Sequence, residues 1–200
     1  MDNSLNHKKA LEILKNSGVI IFPTDTAFGI GCRVDDEEAV KKVFNIRNRP
    51  VTQATPVLCS SISMVEEYVL EISDSVQRLM DSYWPGALTI ILSARIEKVP
   101  SLVRGGGLTV GVRIPRHADT LNLISDLGVP VIGPSANFHG GNTPFEMDDI
   151  DPKLSNLVDY VLPGECSVKK ESTVIDCSEP KWRIIRQGAV RINHELIYNK

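Results

Sequence analysis

Apolar positions along the chain follow two rhythms in alternation, one helical and one with the period of a strand. Leu5, Leu11 and Leu14 recur near helical spacing, with Ser4 as the predicted cap and Gly18 as the stop. The unbroken run Val19-Ile20-Ile21-Phe22 then predicts a buried strand. Asp35 or Asp36 can cap a second helix that gathers Ala39, Val40, Val43 and Phe44 on one face and Lys41 and Lys42 on another. A strand is expected over 56–59, helices over 63–69 and 74–83, and a strongly β-prone strand over 88–92 after the break at Trp84-Pro85-Gly86.

Beyond the flexible Gly105-Gly106-Gly107 loop, the pattern predicts a strand over 109–114. A helix over 118–127 follows, with Leu121, Ile124 and Leu127 on one face, then a strand over 129–132. A polar, glycine-rich loop covers 134–144, further strands are expected over 160–162, 173–176 and 182–185, and 190–200 reads as a frayed helix or a tail. No repeat or Pro-rich linker interrupts this alternation. The expectation is one α/β domain over 1–200, a twisted mixed sheet with flanking helices.

Composition narrows the function classes. The 200 residues are 42% apolar and 24% charged, ordinary for a globular protein. A net charge of −3 argues against a protein that coats nucleic acid, although a local basic groove remains compatible with it. No apolar run is long enough for a bilayer, and the N-terminus lacks a signal-peptide pattern, so a cytoplasmic location without membrane contact is expected. Cys32, Cys59, Cys166 and Cys177 show no spacing for zinc or a redox dithiol and are expected as reduced, mostly buried thiols.

The candidate chemistry lies where apolar runs give way to polar clusters. Thr24-Asp25-Thr26 follows the first strand, either as part of a small-molecule site or as a turn satisfying its own backbone. Arg47-Asn48-Arg49-Pro50 ends the second helix, and Pro50 is expected to leave both guanidinium groups at a loop mouth. There they would clamp phosphates or simply complement the helix dipole. Alternation puts Thr109, Gly111 and Arg113 on one face of their strand, with Arg113 paired either to Asp25 or to a substrate carboxylate. Ser135 and Asn137 offer a hydroxyl and an amide after the strand over 129–132, or form a local turn. Ser172-Thr173-Val174 and Arg186-Gln187-Gly188 repeat the theme of polar tips on apolar strands. His117 and His139 lack metal-ligand spacing and read as loop or capping residues, and Trp84-Pro85-Gly86 reads as a packed corner.

The order of seven blocks resembles the YrdC-like domain of threonylcarbamoyl-AMP synthases: Pro23–Gly29, Arg47–Pro50, Trp84–Thr89, Thr109–Pro115, Pro134–Asn137, Ser172–Val174 and Ile185–Gly188. The match spans about 8–190, as in the short single-domain form. It implies a concave, positively charged cavity and synthesis of threonylcarbamoyl adenylate and pyrophosphate from L-threonine, bicarbonate and ATP. It also implies separate partner proteins that transfer the group to adenosine 37 of tRNA, and Mg²⁺ accompanying ATP, with its protein ligands unknown and no permanently bound cofactor.

By matching motifs, the resemblance assigns Arg47 and Arg49 catalytic roles. It assigns Arg49, Gln53, Thr109, Ser135, Asn137, Thr143 and Arg186 to ATP, and Thr26, Leu58, Arg113, Gly133 and Ser172 to threonine. Arg47 stands where the family usually has Lys, and Phe28 where it often has Tyr. The alternatives are a double-stranded RNA-binding module, with a weak RNA contact, and a YrdC-like paralogue of another role.

Overall fold

The computed structural model describes residues 3–193. Among the described residues, nine strands form two sheets: β1 (Ile20–Phe22), β2 (Gly29–Gly31), β3 (Val57–Leu58), β4 (Leu88–Ser93), β5 (Thr109–Arg113), β6 (Val131–Ile132), β7 (Tyr160–Val161), β8 (Thr173–Asp176) and β9 (Arg183–Arg186). One sheet runs β2-β1-β7 and the other β6-β3-β5-β4-β8-β9, each mixing parallel and antiparallel pairs. The α/β class with mixed sheets and flanking helices is as expected, but the strands divide between two sheets. The unforeseen β2 lies where they meet. Its segment exchanges backbone bonds with the β6 segment, Ile30 N–H to the Pro134 carbonyl at 2.9 Å and Ile132 N–H to that of Cys32 at 3.0 Å. The approach is so close that a Cβ on Gly31 would sit 1.8 Å from the Ile132 oxygen.

Six α-helices of the described residues flank the sheets: α1 (Asn3–Lys15), α2 (Glu37–Arg47), α3 (Ile62–Glu66), α4 (Asp74–Tyr83), α5 (Ala118–Leu127) and α6 (Pro152–Ser155). Asp36, not Asp35, caps α2, accepting from Ala39 N–H at 3.0 Å, while Asp35 pairs with Arg33. Asn48 ends α2 in the left-handed region (φ 51°), so the stop precedes Pro50. Ser4 lies inside α1, Ser61 caps α3, which starts at Ile62, one position before the expected start, and His117 caps α5 as expected. Residues 190–193 form no regular element, although Asn193 N–H donates to the Tyr83 hydroxyl at 2.9 Å. The remainder of the predicted tail lies outside the described residues.

Packing makes one face of the larger sheet a core wall and leaves the other for chemistry. Val110 and Val112 of β5, Leu88, Ile90 and Leu92 of β4, and Ile175 of β8 join one buried cluster with Val40, Val43 and Phe44 of α2 and Val76, Leu79 and Met80 of α4. Burying side chains of this size stabilises by roughly 1.5–3 kcal/mol each. A second cluster joins Ala10 and Leu14 of α1 to Ile20, Phe22 and to Leu123, Ile124 and Leu127 of α5. Leu121 instead packs on the first cluster, so α5 serves two cores and its face is wider than the three leucine and isoleucine positions suggest.

Candidate functional site: a cleft lined by arginines and hydroxyls

The alternation that buries Val110 and Val112 turns Thr109, Gly111 and Arg113 into a cleft open to solvent. Thr89 and Ile91 of β4, Val174 of β8 and Leu58 of β3 line the same cleft. The segments around residues 24–29, 133–135 and 171–172 complete it.

Arg113 is the best-held charge in the cleft. It is buried, and it makes an ion pair with buried Asp25 through Nη2. Its Nε donates to the Gly86 carbonyl at 2.9 Å, and its Nη1 to Thr26 Oγ1 at 2.7 Å. Burial pulls the Arg113 pKa down, and the Asp25 carboxylate counteracts it. Of the five guanidinium N–H groups, these contacts leave two for a ligand in the cleft. Both sequence readings of Thr24-Asp25-Thr26 find a counterpart. Thr24 Oγ1 accepts from Thr26 and Ala27 N–H and donates to the Ala27 carbonyl at 2.6 Å, a turn closed on itself, while Thr26 faces the cleft. Beside Thr26, Ser172 Oγ and Thr89 Oγ1 lie 2.9 Å apart.

The less buried polar lining residues, Arg49, Thr109, Ser135, Thr143, Glu171 and Arg186, form the outer part of the cleft, and buried Thr26, Thr89, Arg113 and Ser172 the inner part. Arg49 donates to the carbonyls of Gln53 and Ala54, which hold it against the loop after α2. Arg186 Nε donates to the Ser172 carbonyl at 3.1 Å, and its Nη1 lies 3.3 Å from the Glu171 carboxylate. Thr143 Oγ1 donates to the other oxygen of that carboxylate at 2.9 Å. Three arginines and one glutamate therefore line the cleft.

Of the residues singled out in the sequence, Thr26, Arg49, Leu58, Thr109, Arg113, Gly133, Ser135, Thr143, Ser172 and Arg186 share this cleft. Gln53 is exposed and supplies only a backbone carbonyl to Arg49, and Asn137 stands behind Ser135. Arg47 is not at the loop mouth: it is 3% exposed, and its guanidinium binds Asn137. The reason is helical phase, since Val40, Val43, Phe44 and Arg47 fall on one buried face of α2. Sequence reasoning missed Thr55, Thr89 and Glu171. Strand alternation would have found Thr89, whereas no periodicity marks Glu171, which precedes β8.

Among the described residues, no group of three or more His, Cys, Asp or Glu side chains could hold a metal ion, and the four cysteines are free thiols. Burial raises the thiol pKa of Cys32, Cys59 and Cys166, and that of Cys177 to about 12, so these sulfurs are poor nucleophiles. No described helix is long and apolar enough to cross a membrane.

Residues 12–188 match the family model Sua5_yciO_yrdC, described as "Telomere recombination". The chain belongs to this family. It is 32% identical over 186 residues to threonylcarbamoyl-AMP synthase of Bacillus subtilis, covering 91% of this chain and 53% of that protein. It therefore spans about half the length of that relative. A putative threonylcarbamoyl-AMP synthase of Methanocaldococcus jannaschii is 34% identical, with 95% of this chain and 91% of that protein covered. Among solved structures, Pyrococcus abyssi Sua5 complexed with L-threonine superposes with a TM-score of 0.88 at 31% identity, over 94% of this chain and 55% of that one. Escherichia coli YciO superposes with a TM-score of 0.83 at 28% identity, over 94% and 90%. The family resemblance read from the seven blocks is thus confirmed, in relatives of both lengths.

Proposed function

We propose that this member of the family is an L-threonylcarbamoyladenylate synthase, acting on L-threonine, bicarbonate and ATP. The observation that carries the reading is Arg113: a guanidinium held by Asp25, Gly86 and Thr26 that still offers N–H groups to the cleft, beside the hydroxyls of Thr26 and Ser172. A buried fork of this kind suits the planar carboxylate of an amino acid. The relative bound to L-threonine supports that choice of substrate.

With the carboxylate on Arg113, the nitrogen of threonine carries a carbamate formed from bicarbonate with loss of water. A carbamate oxygen then attacks the α-phosphorus of ATP, and the bond to the pyrophosphate oxygen breaks. Arg49 and Arg186 at the outer cleft are placed to offset charge on the triphosphate and on the departing pyrophosphate. Glu171 is the one carboxylate in the lining, so a Mg²⁺ ion accompanying ATP would be held chiefly by phosphates and water, and would offset charge on the triphosphate. The adenylate would pass to separate proteins that transfer the group to tRNA.

A second reading follows from the equally complete superposition on YciO, whose role its name leaves open: a paralogue with another anionic ligand in the same cleft. Calorimetry separates the two. Arg113→Lys keeps a charge beside Asp25 but loses the fork, and L-threonine affinity should fall about 10- to 100-fold while ATP affinity changes less. Wild-type protein that binds ATP but takes up no L-threonine would favour the paralogue.

A further inference from the structure

Arg47, like Gln53 and Asn137, is a site residue of the sequence that does not line the cleft, yet its contacts end at the cleft wall. Its Nε donates to the backbone carbonyl of Asn137 at 2.8 Å, and its Nη2 to the Asn137 side-chain oxygen at 2.8 Å. The same oxygen accepts from Ser135 Oγ at 2.7 Å, and Asn137 Nδ2 donates to the Gly141 carbonyl at 2.6 Å. Ser135 lines the cleft and Arg47 does not. Among the described residues Arg47 enters no ion pair, and its buried Nη1 has no hydrogen-bond partner. Burial, with the nearby charge of Arg49, brings its pKa down to about 10.

The direction of every bond in this chain is forced. A guanidinium only donates, so the Asn137 amide must turn its oxygen, not its nitrogen, towards Arg47. An amide oxygen only accepts, so the Ser135 hydroxyl must spend its proton inwards. The lone pairs of Ser135 are then left to the cleft. There they suit a hydroxyl or amine hydrogen of a nucleoside. We propose that Arg47 is a positioning residue, which fixes the orientation of Asn137 and through it the polarity of Ser135, and makes no contact with the ligand itself. This rests on reading the outer cleft as the nucleotide site. It differs from a phosphate clamp, in which Arg47 and Ser135 would act on the ligand independently.

The test is a double-mutant cycle on ATP affinity, measured by calorimetry with Mg²⁺ present, for wild type, Arg47→Lys, Ser135→Ala and the double variant. A lysine ammonium cannot hold both Asn137 oxygens in the geometry of the fork, so each single change should weaken ATP by about tenfold. The double variant should then be no more than about twofold weaker than the poorer single one. Melting temperatures are compared in parallel, because a merely structural role for Arg47 would lower stability without erasing the effect of Ser135→Ala. Losses that multiply in the double variant, or wild-type ATP affinity in Arg47→Lys, overturn the proposal. If Arg47→Lys does not fold, Asn137→Ser replaces it in the cycle, with the same expected and contradicting results. Wild-type protein that binds no ATP overturns the nucleotide reading and this proposal with it, whereas ATP binding with independent losses overturns this proposal alone.

Discussion

Two arginines are buried in this molecule, and they are buried on different terms. Arg113 lies against Asp25, so its charge is cancelled within the fold and what it offers the cleft is hydrogen-bonding geometry. Arg47 has only the carbonyl and amide oxygens of Asn137, so its charge stands uncompensated behind the wall that carries Ser135. Burying an unpaired charge is costly, and a fold that does so retains a local demand for negative charge. An anionic ligand in the outer cleft would meet that demand. On the proposed reading, the inner arginine would recognise its ligand by shape, and Arg47, through its network, by field and polarity.

The two arginines differ most through Asp25. Asp25→Asn leaves Arg113 buried without its counter-charge and should destabilise the fold by about 3–5 kcal/mol, read from the urea midpoint at constant slope. A loss below about 1 kcal/mol would show that Arg113 is no better compensated than Arg47. A smaller effect sharpens the outer half of the comparison. The Glu171–Arg186 pair is 40–44% exposed at its side chains, so Glu171→Gln should change stability by no more than about 0.5 kcal/mol. The same change frees Arg186 from a competing carboxylate and should tighten pyrophosphate binding by about 3- to 10-fold without metal, measured by calorimetry. Unchanged or weaker binding would mean that Glu171 orients Arg186 and does not compete with the ligand.

Much of this contrast was legible in the sequence, but unevenly. Strand alternation put Thr109, Gly111 and Arg113 on one face, and the short apolar run of β1 placed Asp25 at its end as a possible partner. Pro50 does not place the Arg47 side chain, because a chain stop says where a helix ends and not which way its last side chain points. The stripe Val40, Val43, Phe44, Arg47 held the answer, since it continues the buried face by one more turn. The division into two sheets was not legible. Gly29-Ile30-Gly31 carries almost no strand propensity and becomes β2 only through its pairing with β1 and its contacts with the β6 segment. Glu171 escaped for a related reason: it stands outside any regular element, and only the three-dimensional approach of Thr143 and Arg186 gives it a place.

If the inner and outer parts of the cleft act on two substrates of one reaction, release of pyrophosphate from ATP reports it. With Mg²⁺ and ATP supplied, pyrophosphate should appear only when both L-threonine and bicarbonate are present, together with an adenylate containing threonine. Release at the same rate without threonine, or none with every substrate present, would contradict the account.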